Sequence, residues 1–274
     1  MPIASHTNNY GLVRPWERGR SFELHRRAPS PQLDHIVEQH WIARWDLRGR
    51  EPFRQETLPH AWINLVIEPD AAWIWGVPTK RDIRMLKAQG WAIGTKFRPG
   101  AFTACTGIEA SRLTDGRAPV QAIFPDLTEL IAVDIHDAHT AAPDSILAAR
   151  DTLLTPLATI EDPALNLIAE IIASMRELTP DTRVADIAAT HYLAPRTLQR
   201  LFQRYVGVSP KWVLKRLRVH QAVEQLSATP PQDWTKLALQ HGYYDHAHFI
   251  RDFRLVVGRS PATYAAEAAL AHQP

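Results

Sequence analysis

The C-terminal third of the chain says the same thing twice. Leu198-Gln199-Arg200-Leu201-Phe202, then Gly207-Val208-Ser209-Pro210, recurs as Phe249-Ile250-Arg251-Asp252-Phe253, then Gly258-Arg259-Ser260-Pro261. An offset of 51 aligns Tyr192 with Tyr243, Arg200 with Arg251, Phe202 with Phe253, Gly207 with Gly258, Ser209 with Ser260 and Pro210 with Pro261. A self-match at fixed spacing means one supersecondary unit used at two places.

Each copy reads as two short helices joined by a turn. In the first, Val184, Ile187 and Ala188 share one helical face, the i, i+3, i+4 pattern of a buried stripe. After a break at residues 190–192, Pro195 opens a second helix, a position where its missing N–H costs nothing. Leu198, Leu201, Phe202 and Tyr205 form the buried stripe, and Gly207 closes the helix in the left-handed conformation. Ser209-Pro210 reads as the cap and first residue of the next helix. In the second copy Leu237, Ala238 and His241 begin, Gly242 turns, Asp245 caps, and Phe249 and Phe253 anchor. Two helices and a short turn make a helix-turn-helix, whose second helix enters a DNA major groove.

The pattern Arg-Thr-Leu-Gln-Arg-x-Phe…Gly-x-Ser-Pro, followed by Gly-Tyr-x-Asp-x-x-His-Phe-x-Arg-x-Phe…Gly-x-Ser-Pro-x-x-Tyr, resembles the AraC/XylS family of bacterial transcription regulators. The resemblance covers residues 162–264 and implies two helix-turn-helix units, at about 184–205 and 235–256, joined by one long helix. Two positions depart from the family pattern. Ala194 stands where a capping Ser is common, and His191 is read as the counterpart of Gly242. Both predict a less stable first unit, the missing cap by about 1 kcal/mol. Between the units, residues 210–226 read as one helix, with Val219, Ala222, Val223 and Leu226 on one face. At about 1.5 Å per residue it spans roughly 25 Å. Successive major-groove segments lie about 34 Å apart, so DNA bending or oblique helix entry is expected.

Charge agrees with nucleic-acid binding. The net charge of +2 hides a split. Residues 181–264 hold 12 Lys/Arg and 6 Asp/Glu, giving +6, whereas residues 1–180 hold 19 and 22, giving −3. Between Asp186 and Glu224 no acid occurs, and Arg196, Arg200, Arg204, Lys211, Lys215, Arg216 and Arg218 do. A basic module on a mildly acidic body suits a phosphate backbone.

On the first recognition helix Leu198, Leu201 and Phe202 point inward, leaving Arg196, Gln199, Arg200 and Gln203 outward. Arg can grip guanine O6/N7 and Gln adenine N6/N7 in two-pronged fashion. The resemblance likewise implies base contacts at Arg196, Gln199 and Arg200. The second helix presents His246, Ala247, Ile250 and Arg251, of which Ala and Ile reach only thymine methyls. Stricter reading by the first unit is therefore expected. Arg204, Lys215, Arg218 and Arg254 are candidate phosphate clamps.

Residues 33–125 alternate short apolar runs with Pro, Gly and Asp, which predicts strands at 40–45, 62–67, 73–77, 91–97, 102–106 and 120–124, with another at 21–26. The segments Gly94-Thr95-Lys96-Phe97-Arg98-Pro99-Gly100-Ala101-Phe102 and Gly76-Val77-Pro78-Thr79 resemble an N-terminal cupin-like β domain of some of these regulators, which implies a sensor role. Trp62, Trp73 and Trp75 are candidates to line a pocket for an apolar or aromatic effector, against the plainer reading of core packing. Residues 126–161 turn helical, through Leu127, Leu130, Ile131 and Ile135 and then Ile146 to Leu157. The resemblance implies pairing of two subunits here; the alternative is a cover for the barrel. A helix over 163–178 opens the DNA-binding domain, and residues 265–274 form a tail.

The fold class expected is thus α+β: a cupin-like barrel or sandwich (1–125), a helical connector (126–161) and an all-α double helix-turn-helix domain. The lone Cys105 permits no internal disulfide, which fits a reducing cytoplasm, and no membrane-span-length apolar run occurs. No phosphate loop, dinucleotide fingerprint or zinc-protease motif is present, so no enzyme and no cofactor are expected. His40 and His60 are isolated, and Cys105 reads as a core thiol. The partners expected are double-stranded promoter DNA, RNA polymerase, a small-molecule effector and a second copy of the chain. The rival reading makes the DNA module a tether for a β domain that binds a partner protein or has enzymatic activity.

Overall fold

The computed structural model describes residues 11–17, 19–127, 138–177, 182–228 and 233–271. The first half is β-rich. Strands β1 (Glu23–Arg27), β2 (Val37–Asp46), β4 (Asn64–Glu68), β5 (Ala71–Trp75), β7 (Gln89–Phe97) and β8 (Arg117–Pro119) form an antiparallel sheet in the order β1-β2-β7-β4-β5-β8. Strands β3 (Phe53–Thr57) and β6 (Asp82–Leu86) pair as a separate ribbon.

The large sheet has two different faces, because alternate residues point to opposite sides. Ile42, Leu65, Ile67, Ile74 and Ile93 are buried in the main core. On that side helix α3 (Pro143–Leu154) packs over β1 and β2, burying Ile146, Leu147, Leu153 and Leu154. His40, fully buried, bridges Thr95 Oγ1 at 2.8 Å and Asp151 Oδ1 of α3 at 3.3 Å. The other face carries Trp41 and Trp45 of β2, opposite Gly94 and Gly90 of β7. A Cβ at Gly94 would lie 2.1 Å from the Trp41 indole, and one at Gly90 2.4 Å from that of Trp45. Strand interiors disfavour glycine; here it makes room for an indole.

Two sequence expectations change. Residues 102–106 and 120–124 are not strands but short helices, α1 (Ala101–Thr106) and α2 (Val120–Ile123). A five-residue apolar run has too few turns for periodicity to separate the two states. Gly100 at φ 95° and Gly107 at φ 70° turn the chain into and out of α1. The ribbon β3–β6 was not foreseen, since Arg, Gln, Glu and Asp dilute its alternation. Of the connector, α3 covers the sheet; Leu130, Ile131 and Ile135 lie outside the described residues.

The second half is helical: α4 (Pro163–Glu177), α5 (Val184–Thr190), α6 (Pro195–Tyr205), α7 (Pro210–Ala228), α8 (Trp234–Gln240), α9 (His246–Val257) and α10 (Pro261–Ala271). It shares one apolar core with the β half. Phe97, Phe102 and Ala110 lie in the same cluster as Ile168 of α4, Phe202 of α6 and Val213 of α7. Val13 and Leu58 join Phe249, Phe253 and Tyr264 in a second cluster. The two halves are docked together.

Candidate nucleic-acid interface

The units α5–α6 and α8–α9 each place one helix with a polar outer face. On α6, Leu198 and Phe202 are fully buried, whereas Arg196, Gln199, Arg200 and Gln203 are exposed. On α9, Phe249 and Phe253 are buried, Ala247 and Arg251 are exposed, and His246 and Ile250 are half-buried. The outward sets expected from the sequence therefore share a face on each helix. The first is the more polar of the two.

The turns are closely matched but not in the register of the repeat. Leu193 N–H donates to Ala188 O at 2.8 Å, and Tyr243 N–H to Ala238 O at 3.0 Å. Tyr192 N–H donates to Ala189 O and Gly242 N–H to Leu239 O, both at 3.0 Å. The offset before the turn is thus 50, and it becomes 51 because the second turn holds one more residue. The counterpart of Gly242 (φ 73°) is Tyr192 (φ 53°), not His191, and Tyr243 matches Leu193. Left-handed backbone is costly for a residue with a Cβ. His191 and His241 are the true pair, and both are tied back: His191 to Ser174 Oγ at 3.0 Å and His241 to Gln225 Oε1 at 2.9 Å.

Capping differs between the units as expected. Asp233 accepts from Thr235 N and Lys236 N, and Asp245 from His248 N, at the starts of α8 and α9. Ala194 offers no side-chain cap to α6. Tyr192 and Tyr244, in the two turns before the recognition helices, are 97% and 91% exposed. Sequence reasoning passed over both as binding groups.

Helix α7 runs 19 residues, about 28 Å at 1.5 Å per residue, and sets the units apart. The four candidate phosphate clamps divide. Arg204 and Arg254 are exposed. Lys215 Nζ lies 3.0 Å from Asp252 Oδ2 of α9. Arg218 donates to Gly242 O at 3.1 Å and Thr182 O at 3.0 Å, which ties one unit to the other.

The β half holds the C-terminal end of each recognition helix, which no sequence signal disclosed. Thr103 Oγ1 donates to Arg204 O at 3.1 Å, and Thr114 Oγ1 to Gly207 O at 2.7 Å. Arg81 donates to Val257 O at 3.0 Å at the end of α9. The two gripping loops are themselves joined, since Asp115 accepts from Thr79 N at 2.6 Å and Thr79 Oγ1 at 2.5 Å. Thr79 O in turn accepts from Arg216 of α7 at 3.0 Å. Beneath this junction Glu56 of β3, 3% exposed, lies 3.1 Å from Arg81 and 3.3 Å from Arg54, and it pairs with Arg259 beyond α9.

A cavity of ≈520 Å³ lies in the β half. Trp41, Trp62 and Trp75 line it with Arg26, Gln39 and Lys96. Of the three tryptophans expected to line a pocket, Trp73 is not among the lining residues; the Arg117 guanidinium covers its ring at 3.9 Å. Strand β3 divides cavity from ion pairs, with Gln55 and Thr57 lining the cavity and Glu56 between them facing Arg259. His60, another lining residue, meets His220 of α7 edge-on at a ring separation of 4.4 Å. Burial holds both below the ordinary histidine range, His220 at about 3. Cys105 is half-buried, and burial pushes its thiol up to about 12, which leaves it a poor nucleophile. Among the described residues no helix is long and apolar enough to cross a membrane.

Residues 187–267 match the family model described as a helix-turn-helix domain, and residues 25–119 match a domain of unknown function, DUF6597. An uncharacterized HTH-type transcriptional regulator of Haemophilus influenzae is 27% identical over 114 residues, 42% of this chain and 37% of the relative. The chain thus spans well under half the length of that curated relative. A transcriptional regulator with an AraC-type DNA-binding domain from Chromobacterium violaceum is 25% identical over 37% of this chain and 90% of its own, with a TM-score of 0.34. The DNA-binding domain of the global transcriptional factor AdpA, solved with a target DNA, is 29% identical over 41% of this chain and 97% of its own, at TM-score 0.36.

Proposed function

We propose that this chain, whose residues 187–267 match a helix-turn-helix domain, is a sequence-specific transcriptional regulator of the AraC type that reads promoter DNA with α6 and α9. The observation that carries this is the pair of recognition helices, each with a buried Leu/Phe or Phe/Phe stripe and an exposed Arg-bearing face, held apart on one rod. Arg196, Gln199 and Arg200 are the base readers of the first site. Arg251 reads the second, with Ala247 and Ile250 against thymine methyls. Arg204 and Arg254 take phosphates, and the exposed Tyr192 and Tyr244 extend that contact. Lys215 and Arg218 serve the spacing of the units instead.

The β half acts as sensor by holding both recognition helices at their C-terminal ends. A signal that moves the Thr79–Asp115 junction changes their relative placement and so the operator affinity, a population shift between two arrangements. RNA polymerase and a second copy of the chain are the further partners in this reading, and no chemistry is catalysed. Selection of bound duplexes from a random pool at near-physiological salt tests it. Two short conserved blocks about one helical turn apart are expected; uniform, salt-sensitive binding with no enriched sequence defeats the reading.

A further inference from the structure

The cavity has a chemistry that names its occupant. Most of the wall is apolar or aromatic, from Phe22, Leu24, Trp41, Trp45, Trp62 and Trp75. Its volume, ≈520 Å³, falls in the range of sites for small organic ligands. Into this wall β7 projects Lys96, flanked in register by Gln39 of β2 and Asn64 of β4. The ammonium lies 4.6 Å from the centre of the Trp62 ring. Among the described residues no carboxylate forms an ion pair with it; neighbouring Glu38 pairs with Arg98 at 3.1 Å and offsets only part of the cost of burying the Lys96 charge. Arg26 lines the same cavity. Burial and the Arg26 charge bring the Lys96 ammonium down to about 7. A cation placed in an apolar, aromatic chamber is costly unless an anion joins it. The acidic lining residues are committed elsewhere: Glu68 and Asp82 to Arg84, and Asp115 to Thr79. Gln39 and Asn64, which also line the cavity, bring side-chain amides to the strand positions beside Lys96.

We propose that the cavity binds a small organic carboxylate, its charged group on Lys96 and Arg26 between Gln39 and Asn64, and its apolar or aromatic body among Trp41, Trp62 and Trp75. The site deepens the sensor reading and rests on it only for its consequence at DNA; binding itself is independent of any operator. A neutral molecule of the same shape leaves the Lys96 charge without its counterion, so charge discriminates more sharply than body shape does. Occupancy has a short path outward, because Arg81 lines the cavity and also holds Val257 O, and Gln55 and Thr57 flank Glu56.

The test is calorimetric titration and thermal shift on the full chain with benzoate, phenylacetate, octanoate and decanoate, each against its neutral amide. At least one carboxylate is expected to bind and raise the melting temperature, with its amide weaker by about tenfold to a hundredfold, the range of a charged hydrogen bond. Lys96→Met keeps the side-chain bulk and is expected to lose a similar factor. Lys96→Arg keeps the charge and retains binding within a few-fold, which separates loss of charge from loss of fold. No binding by any of the four, equal binding of acid and amide, or unchanged affinity in Lys96→Met overturns the proposal. A carboxylate that binds as described yet leaves operator affinity unchanged sinks the sensor reading and leaves the site standing.

Discussion

Replacing Glu56 by Gln removes one charge from a site that several cations share. The Glu56 side chain is 2% exposed, Arg259 17% and Arg81 20%, so water does little to screen them. The carboxylate reaches Arg81, Arg54 and Arg259 together, and Arg81 also holds the last carbonyl of α9. Removing one partner of a buried pair costs about 3–5 kcal/mol, because the remaining charge stays desolvated. An amide keeps one acceptor, and Arg259 retains Glu267, so the loss falls near the lower end, about 3 kcal/mol. The assay is urea unfolding of wild type, Glu56→Gln, Arg259→Met and the double variant. The coupling between the two positions is expected at about 2 kcal/mol, inside the range for residues in one network. The cost is also expected to separate the transition of the β half from that of the helical half, since the Glu56–Arg259 pair spans the two. A loss below about 1 kcal/mol, as for an exposed pair, with additive single variants, refutes the argument that β3 latches the second unit.

Other consequences follow from single contacts. Arg218→Ala is expected to cost about 2 kcal/mol of stability through two lost carbonyl hydrogen bonds, whereas Arg254→Ala leaves stability unchanged and lowers the salt slope of DNA binding by about 1; urea unfolding and salt titration read the two apart. Asp245→Ala removes the cap of α9 and costs about 1 kcal/mol, and Ala194→Ser gains a comparable amount at α6, both seen in the urea midpoint. His220 is held at about 3 in the fold by burial, below its unfolded value, so its contribution is complete above about pH 6.5 and drains as pH falls toward 3. Between pH 7 and 5 that amounts to about 2 kcal/mol, and His220→Gln should flatten the stability profile by that amount over this interval.

The helical half was legible because its signals are long and redundant. Apolar stripes such as Leu198, Leu201 and Phe202 recur over whole turns, and Pro195, Gly207, Asp245 and Gly258 mark the ends. The one-residue slip at the second turn escaped because Tyr243 offers a false identity to Tyr192, while the true pair, His191 and His241, sits at an offset of 50. In the β half, runs rich in Trp, Ile and Val gave β2, β4, β5 and β7, but five residues around Phe102 carry no period. The cavity was half visible: Trp62 and Trp75 were foreseen as lining, and Lys96 was read as part of a strand motif only. The grip on the recognition helices was not visible at all. Glu56 and Arg259 are 203 residues apart in sequence, and Thr114 meets Gly207 through a backbone carbonyl that any residue would supply.

The central claim is that α6 and α9 each read their own block of one DNA site, the first more strictly. Selection from a random duplex pool by the full chain, by Arg196→Ala/Gln199→Ala and by Arg251→Ala tests it most directly. The account predicts that the first variant erases base preference in one block alone, that Arg251→Ala weakens the other block alone, and that the first block carries more information in the wild type. Loss of preference spread evenly over both blocks, or no change in either, contradicts it.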